Sequence, residues 1–141
     1  MTEKERMLSG KLYIAQDEEL VRDSMRARRL TRQINGLTEE QSEEMQRLFR
    51  ELLGKIGKDF WINPPFRVDY GSHIYIGDHF YANYDCMILD VARVEIGDHV
   101  FFGPRVCVYT AGHPIDAEVR DTQLEFRKEV KIGRHVWVGG N

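Results

Sequence analysis

Residues 74–108 read IYIGDHFYANYDCMILDVARVEIGDHVFFGPRVCV, and the same style of sequence resumes at residues 130–141 as VKIGRHVWVGGN. Small or apolar residues, here called leading residues, recur every six positions within these stretches: Ile76, Ala82, Ile88, Ile96, Phe102, Val108, Ile132 and Val138. A period of six fits neither an α-helix nor a hairpin meander. It is typical of a hexapeptide β-helix, in which short parallel strands wind into a prism and three hexads complete one coil. The sequence therefore predicts a mainly β chain folded as a parallel β-helix.

Glycine directly follows several leading residues, as at Gly77, Gly97 and Gly133. Glycine adopts backbone conformations that other residues reach only at a cost, so it suits the tight corners of such a prism. Another small or apolar residue lies four positions after most leading residues, and Cys86 is one of these. We therefore expect Cys86 to pack inside the prism, as free cysteines commonly do.

The first 57 residues have a different pattern, which predicts a helical arm. Asp17 is well placed to N-cap a helix that continues to about Ile34, and Asn35-Gly36 would end it. A second helix is expected after Thr38, which begins a capping-box sequence ahead of an apolar stripe at residues 45–53. We divide the chain into a helical arm at 1–57 and a β-helix at 58–141.

Residues 60–66, FWINPPF, separate the two patterns. The two prolines exclude a helix here, and the flanking aromatic residues favour a plug over the first coil. A cover is expected because the open end of a solenoid exposes unpaired strand edges.

Two irregularities interrupt the repeat. Val94 and Ile96 are both candidates for one inward position, so the six-residue period shifts by two residues there. The period then stops after Val108, and residues 109–129 form an extruded loop before Ile132 resumes the pattern. A long insertion in a regular solenoid is usually functional rather than structural. The last hexad is incomplete at Asn141, so we expect a chain truncated at its C-terminus.

Composition narrows the classes of function. The formal net charge is −3, from 20 basic and 23 acidic side chains, and the arginines at 22–32 are typical of a solvated helix face. We therefore expect no nucleic-acid partner. No apolar run has the length of a signal peptide or a membrane span, so the expected location is the cytoplasm, without membrane contact.

The extruded loop begins with Thr110-Ala111-Gly112-His113-Pro114. A histidine held between glycine and proline at the root of a loop is well placed for proton transfer near neutral pH. Taken alone, the pattern favours a structural or solvated His113, because one histidine carries little information. Polar residues on neighbouring hexads strengthen the catalytic interpretation: Tyr81, Asn83 and Asp90. Asp17 on the arm is a further candidate, with a helix N-cap as its alternative role.

These motifs resemble those of the galactoside and maltose O-acetyltransferases, which include nodulation acetyltransferases and belong to the hexapeptide-repeat acyltransferases. The likeness covers nearly the whole chain. It is carried by residues 9–13 (SGKLY), 80–85 (FYANYD), 109–116 (YTAGHPID) and 132–140 (IGRHVWVGG).

The resemblance implies a left-handed β-helix and direct acetyl transfer from acetyl-CoA to a sugar hydroxyl, without an acetyl-enzyme. His113 matches the catalytic base of the family. Asn83 matches a residue that contacts both acceptor and donor, and Tyr81 lies beside it. Asp17 matches a carboxylate that hydrogen-bonds sugar hydroxyls.

The remaining implied site residues lie farther along the chain. Asp90 falls next to an acidic acceptor-binding position of the family, although the usual second acidic residue is Val91 here. Glu125 is expected to help orient His113. The implied contacts of coenzyme A are Asn83, Trp137 and Gly140. The family works as a homotrimer with active sites between neighbouring prisms.

Three alternatives remain at this point. His79, His99 and His135 occupy the same place in three hexads, so they could form a ladder or a zinc site of a trimeric β-helix enzyme. Convergence on one zinc ion is not expected of side chains spaced along a coil axis, which favours an exposed ladder. The chain could instead be a non-catalytic trimeric scaffold, or it could acetylate an antibiotic rather than a sugar.

Overall fold

Short parallel strands wind into a three-sided prism that helices cover at one end. The structure is a computed structural model that describes residues 1–141. The strands of the prism are β2 Lys55–Ile56, β3 Trp61–Ile62, β4 Phe66–Val68, β5 Ile74–Ile76, β6 Tyr81–Ala82, β7 Cys86–Leu89, β8 Val94–Ile96, β9 Phe101–Phe102, β10 Cys107–Tyr109, β13 Val130–Ile132 and β14 Trp137–Val138. They form three parallel sheets with the strand orders β2-β5-β8-β13, β3-β6-β9-β14 and β4-β7-β10. The prediction of a mainly β, parallel hexapeptide-repeat fold is confirmed.

Each full coil is two residues longer than three hexads. Ile56, Ile76 and Ile96 pair in register, as do Ile62, Ala82 and Phe102, so equivalent residues lie 20 positions apart. The extra residues lie at the corner that follows β4 and β7. This corner explains the competition between Val94 and Ile96, since both are buried and both belong to β8.

The leading residues point into the prism as predicted. Ile76, Ala82, Ile88, Ile96 and Phe102 are at most 3% exposed and belong to one continuous core. Val108, Ile132 and Val138, toward the other end, are partly buried and pack against the same core. Cys86 is 1% exposed, which confirms its packing role.

One corner of the prism repeats an uncommon backbone conformation. Asp59, His79, His99 and His135 all have φ between 54° and 59°, in the left-handed region. The glycine that precedes this corner permits the close approach of the next coil. A Cβ on Gly77 would overlap the carboxylate of Asp98, which accepts a 2.7 Å hydrogen bond from the Asp78 N–H.

The prediction that residues 60–66 plug the first coil is wrong. Trp61–Ile62 is strand β3, which pairs in parallel with β6, and Phe66–Val68 is β4, which pairs with β7. Phe60 and Phe66 point inward as core residues. The prolines sit at a corner between two strands, where no ladder hydrogen bond is lost.

Helices of the arm provide the cover instead. The arm contains α1 Glu3–Leu8, strand β1 Tyr13–Ile14, α2 Glu18–Asn35, a 3-10 turn Glu39–Gln41 and α3 Ser42–Leu52. The capping box at Thr38 and Gln41 is present as predicted. Leu30, Ile34, Leu48 and Phe49 join the prism core, and Phe49 packs edge-on against Phe66 with ring centroids 5.6 Å apart. None of the helices combines the length and the apolar composition that a membrane-spanning helix requires. A domain boundary at residue 57 stays a prediction, although strand β2 already begins at Lys55.

Candidate active site

The extruded loop is tied down by a small antiparallel sheet. Strands β11 Ala111–Gly112 and β12 Leu124–Arg127 pair with each other, and β12 also pairs with β1 of the arm. Between them lies the short helix α4 Ala117–Asp121, which Asp116 N-caps by accepting from the Val119 N–H. The loop carrying His113 is therefore held by the N-terminal arm of the same chain.

A cavity of about 410 Å³ opens between this sheet, helix α2 and one corner of the prism. We call this corner the long corner, because it contains the extra residues that follow β4 and β7. The polar lining of the cavity comprises Tyr13, Gln16, Ser24, Arg28, Asp69, Tyr70, His113 and Glu125. The structure thus brings the predicted residues His113 and Glu125 together on one cavity wall. A concave pocket with a few convergent polar groups is a strong candidate for a small-molecule site.

His113 lies just after β11, exposed at the cavity rim. The residue before it, Gly112, packs against the ring of Phe126 on β12: an added Cβ would lie 2.5 Å from Cζ of that ring. Close contact of strand and ring therefore fixes the backbone that carries His113. Glycine is required here for space rather than for a left-handed conformation.

Glu125 contacts Tyr13, not His113. The Tyr13 hydroxyl donates a 2.7 Å hydrogen bond to Oε2 of Glu125. Burial, this hydrogen bond and the charge of Glu125 raise the pKa of Tyr13, so its phenol stays protonated. No hydrogen bond joins Glu125 to His113, so direct orientation of the imidazole by Glu125 stays a prediction.

Asp69 is a cavity residue that the sequence analysis missed. It is half-buried, and burial, with the charges of Asp90 and Glu125, raises its pKa to about 6. Arg28, at the same cavity, lowers that pKa slightly. Its position in the repeat could have indicated this role. Asp69 directly follows β4 and is equivalent to Leu89 in the next coil, and the corner that carries both residues lies beside the extruded loop. Perturbed carboxyl groups in clefts are candidates for functional residues.

Asp90 has a structural role in the chain. It is 0% exposed, and its carboxylate accepts backbone hydrogen bonds from Asp69 (3.1 Å), Tyr70 (2.9 Å) and His73 (3.2 Å). Its oxygens are therefore used inside the protein to hold the long corner. The expected contact of Asp90 with an acceptor stays a prediction, and because both carboxylate oxygens already accept backbone N–H groups we do not include Asp90 in the proposed site.

Asp17 is the N-cap of α2, which is the alternative role that the sequence indicated. Its Oδ2 accepts a hydrogen bond from the Glu19 N–H at 3.1 Å. It does not line the cavity, although its neighbour Gln16 does. The carboxylate is half-buried at the start of the helix. The proposed contact with an acceptor would therefore depend on the oxygen that the cap leaves free.

Tyr81, Asn83 and Trp137 lie at another edge of the prism, outside the cavity. Tyr81 pairs in register with Phe101, and Phe101 with Trp137, which is 78% exposed. The Tyr81 hydroxyl accepts from Asn63 Nδ2 at 3.1 Å, while Oδ1 of Asn83 accepts from the Tyr84 N–H at 2.8 Å. Gly140 lies near this edge too, against Pro104. One chain alone therefore does not assemble these residues with His113.

The three repeated histidines form the expected ladder. The rings of His79 and His99 stack with centroids 4.5 Å apart, and those of His99 and His135 with centroids 5.0 Å apart. Rings stacked face to face direct their nitrogens outward in separate planes, so these nitrogens do not converge as a tetrahedral zinc site requires. No cluster of three potential metal ligands is formed anywhere in the chain.

Comparison with known proteins gives the family. A family model, the maltose acetyltransferase hexapeptide capping motif, matches residues 6–57. Nodulation protein L of Rhizobium meliloti (strain 1021) is 45% identical over 139 residues, 99% of this chain and 76% of that protein. The crystal structure of a maltose O-acetyltransferase from Clostridium difficile 630 is 48% identical, with a TM-score of 0.98, over 99% of this chain and 75% of that one. A galactoside acetyltransferase in complex with coenzyme A is 34% identical, with a TM-score of 0.95, over 99% of this chain and 70% of that one.

The coiled parallel strands, the helical cover and the loop histidine define a hexapeptide-repeat acyltransferase. The chain belongs to the galactoside/maltose O-acetyltransferase family. The resemblance found in the sequence motifs is therefore confirmed, and the protein is an acyltransferase.

Proposed function

We propose that this protein transfers the acetyl group of acetyl-CoA directly to a hydroxyl group of a sugar, with His113 as general base. The observation that carries the proposal is the position of His113 at the rim of a cavity lined in part by carboxylate and hydroxyl groups, in a chain of this family. Coenzyme A as the donor is supported by the galactoside acetyltransferase that was solved in complex with it. A sugar as acceptor is supported by the maltose- and galactoside-acetylating relatives. A cytoplasmic location belongs to the same proposal, since the donor is an intracellular thioester.

The chemistry needs one base and no covalent intermediate. The imidazole of His113 takes the proton of the acceptor hydroxyl while that oxygen attacks the thioester carbonyl. The tetrahedral adduct collapses to the acetyl ester, the carbon–sulfur bond breaks, and the proton on His113 passes to the departing thiolate. Positioned general-base catalysis contributes about 10²–10⁴-fold to the rate.

The cavity carboxylates supply acceptors for sugar hydroxyl groups. Asp69 and Glu125 both line the wall that ends at His113, and Tyr13 fixes the position of Glu125. Asp17 is proposed as a further contact through its free oxygen, since the adjacent Gln16 lines the cavity. Ionised carboxylates accept short, charge-assisted hydrogen bonds, which suits recognition of a hydroxylated ligand.

The second half of the site is proposed to come from a neighbouring subunit. We propose a homotrimer of left-handed β-helices in which Tyr81 and Asn83 of one chain approach the His113 loop of the next. Asn83, Trp137 and Gly140 would then contact coenzyme A. This arrangement accounts for the separation of these residues from His113 within one chain and for the exposure of Trp137. A head-to-tail contact that closes as a ring suits such sites.

The proposal is tested by acceptor-dependent thiol release from acetyl-CoA, with glucose, maltose and a galactoside, alongside sedimentation to count subunits. His113→Ala should lower kcat by about 10²–10⁴-fold. His135→Asn, which changes an exposed ladder imidazole, is the matched control and should retain kcat. An unchanged kcat in His113→Ala would overturn the assignment of the base. A well-formed trimer that releases no thiol with any acceptor would overturn the proposed reaction.

A further inference from the structure

A second cavity adjoins the candidate active site between α2 and the sheet formed by β4 and β7. Its volume is about 340 Å³. Three arginines, Arg28, Arg32 and Arg67, supply all of its charged side chains, and no carboxylate lines it. We call this cavity the arginine groove. The cluster is a local feature, because the chain as a whole has a net charge of −3.

The scaffold fixes the two elements that carry these arginines. Arg28 and Arg32 are one helical turn apart on α2, so they share one face of the helix. Arg67 is the outward residue of β4, next to the buried Phe66. Asn35 at the end of α2 clamps the strand: its Nδ2 donates to the Phe66 carbonyl at 3.1 Å, and its Oδ1 accepts from the Phe66 N–H at 3.0 Å.

The three guanidinium groups form no ion pair or hydrogen bond within the chain, and Arg28 acts on Asp69 only through its charge. Arg47 and Arg93, by contrast, form ion pairs with Glu44 and Glu95. Three cations that share one concave surface attract an anion. The planar guanidinium fork matches the paired oxygens of phosphate, carboxylate or sulfate, with which it forms bidentate hydrogen bonds.

The arginine groove is adjacent to the cavity that holds His113. Arg28 and Leu89 line both spaces. A molecule larger than a simple sugar could therefore place one end at His113 and another among the arginines. Together the two adjacent cavities place carboxylates beside His113 and arginines next to them.

We propose that the acceptor of this enzyme carries an anionic oxygen group, which the arginine groove binds while a hydroxyl of the same molecule lies at His113. The substrate class is then an acidic saccharide, such as a sugar phosphate or a uronate. This inference rests on the proposed function, since it names the acceptor of the same reaction.

The test compares kcat/KM for glucose with the values for glucose 1-phosphate, glucose 6-phosphate and glucuronate, at low ionic strength and saturating acetyl-CoA. Several anionic acceptors are used because the charged group can itself block the hydroxyl that reacts. We expect at least one of them to exceed glucose by about tenfold. If glucose equals or exceeds all of them, the proposal is overturned.

Variants assign the preference to the groove. The double variant Arg32→Gln/Arg67→Gln should reduce the ratio of anionic to neutral kcat/KM to within about twofold of unity, because both lost cations face the anion. Arg29→Gln, an exposed arginine of α2 that does not line the groove, is the matched control and should keep the ratio. A ratio that survives in the double variant overturns the proposal.

Two further outcomes would reassign the groove. If inorganic phosphate raises turnover of glucose while phosphorylated acceptors are not preferred, the groove binds a free anion. If the double variant changes the subunit number and not the ratio, the groove is a contact between copies.

When no acetyl transfer is seen, calorimetric titration with glucose 1-phosphate distinguishes a failure of the arginine groove from a failure of the proposed acetyl transfer. Binding that the double variant loses would support the groove and leave the proposed reaction as the failure, whereas absence of binding would overturn the groove too.

Discussion

The Tyr13 hydroxyl donates a 2.7 Å hydrogen bond to Oε2 of Glu125, across 112 positions of sequence. The same two residues face each other in the antiparallel pairing of β1 with β12. Strand β12 also pairs with β11, and His113 directly follows β11. The N-terminal arm is therefore part of the support for the loop histidine and not only a cover for the prism.

Tyr13→Phe should weaken both stability and turnover. It removes the only side-chain hydrogen bond of Glu125 and leaves a half-buried carboxylate without a donor. We expect the free energy of unfolding to fall by about 1–3 kcal/mol and kcat/KM to fall with it. Urea denaturation and steady-state kinetics provide the two measurements. Tyr84→Phe is the control, because Tyr84 is 55% exposed, and a change below about 0.5 kcal/mol is expected there. Equal behaviour of the two variants would contradict the anchoring role.

Asp90→Asn should act on stability and not on acceptor binding. The carboxylate accepts three backbone N–H groups, whereas an amide would direct its own NH₂ at one of them. We expect a loss of about 2–3 kcal/mol in the free energy of unfolding, measured by urea denaturation.

The control for Asp90 is Asp85→Asn. Asp85 is exposed, and its φ of 64° is one that asparagine tolerates, so little change is expected. If Asp90→Asn instead kept full stability and raised KM for the acceptor, the role implied by the family resemblance would be restored.

The sequence predicted the repeat well because periodic burial is a local property. Ile76, Ala82 and Ile88 show it without interruption, and all three are buried. The first coil obeys the same rule, since Ile56, Ile62 and Val68 are six apart and pair with those residues. The prolines between β3 and β4 concealed this pattern, because they indicate a break in structure while a corner accommodates them.

The site was predicted less completely, for a different physical reason. Asp69 and Asp90 lie at equivalent corners of successive coils, but only the three-dimensional course of the long corner buries Asp90 and leaves Asp69 at the cavity. Tyr81 and Asn83 could be found as polar corner residues, yet their separation from His113 depends on which edge of the prism carries them. Spacing along the chain indicates a repeat, and it does not give the environment of an individual carboxyl group.

Asp69 should give a pH-dependent contribution to stability. Burial, with Asp90 and Glu125, raises its pKa to about 6, above the value of about 3.9 expected in the unfolded chain. A raised carboxyl pKa means that the folded state disfavours the ionised form. The resulting cost is fully present above pH 6 and disappears as the pH falls from about 6 to 4.

Asp69→Asn should therefore stabilise the protein at pH 8 by about 1–2 kcal/mol, after allowance for its partial exposure, and have little effect near pH 4. Denaturation at both pH values gives the difference. Asp121→Asn, at an exposed position of α4, should show no such dependence. A gain of equal size at both pH values would contradict an electrostatic origin. If Asp69 also binds the acceptor when ionised, the same substitution raises KM at pH 8.

His99 should tolerate asparagine better than valine. Its φ of 54° lies in the left-handed region, where a β-branched side chain clashes with its own backbone. We expect His99→Val to cost about 1–2 kcal/mol more than His99→Asn, as measured by urea denaturation. Both substitutions remove the stacked imidazole, so the difference between them isolates the backbone conformation. Equal losses would instead assign the effect to the lost stacking with His79 and His135.

Gly112→Ala should impair catalysis by moving the backbone that carries His113. An added Cβ would lie 2.5 Å from Cζ and 2.8 Å from Cε2 of Phe126, so the ring or strand β11 has to shift. Because displacements of the order of an ångström are enough to disturb a reacting geometry, we expect kcat to fall by about tenfold or more, with a smaller effect on thermal stability. Gly133→Ala is the matched control, since a Cβ there meets nothing within 4 Å, and it should keep full kcat. Full activity in Gly112→Ala would mean that Phe126 yields to the new methyl group, and that the loop places His113 without help from this contact.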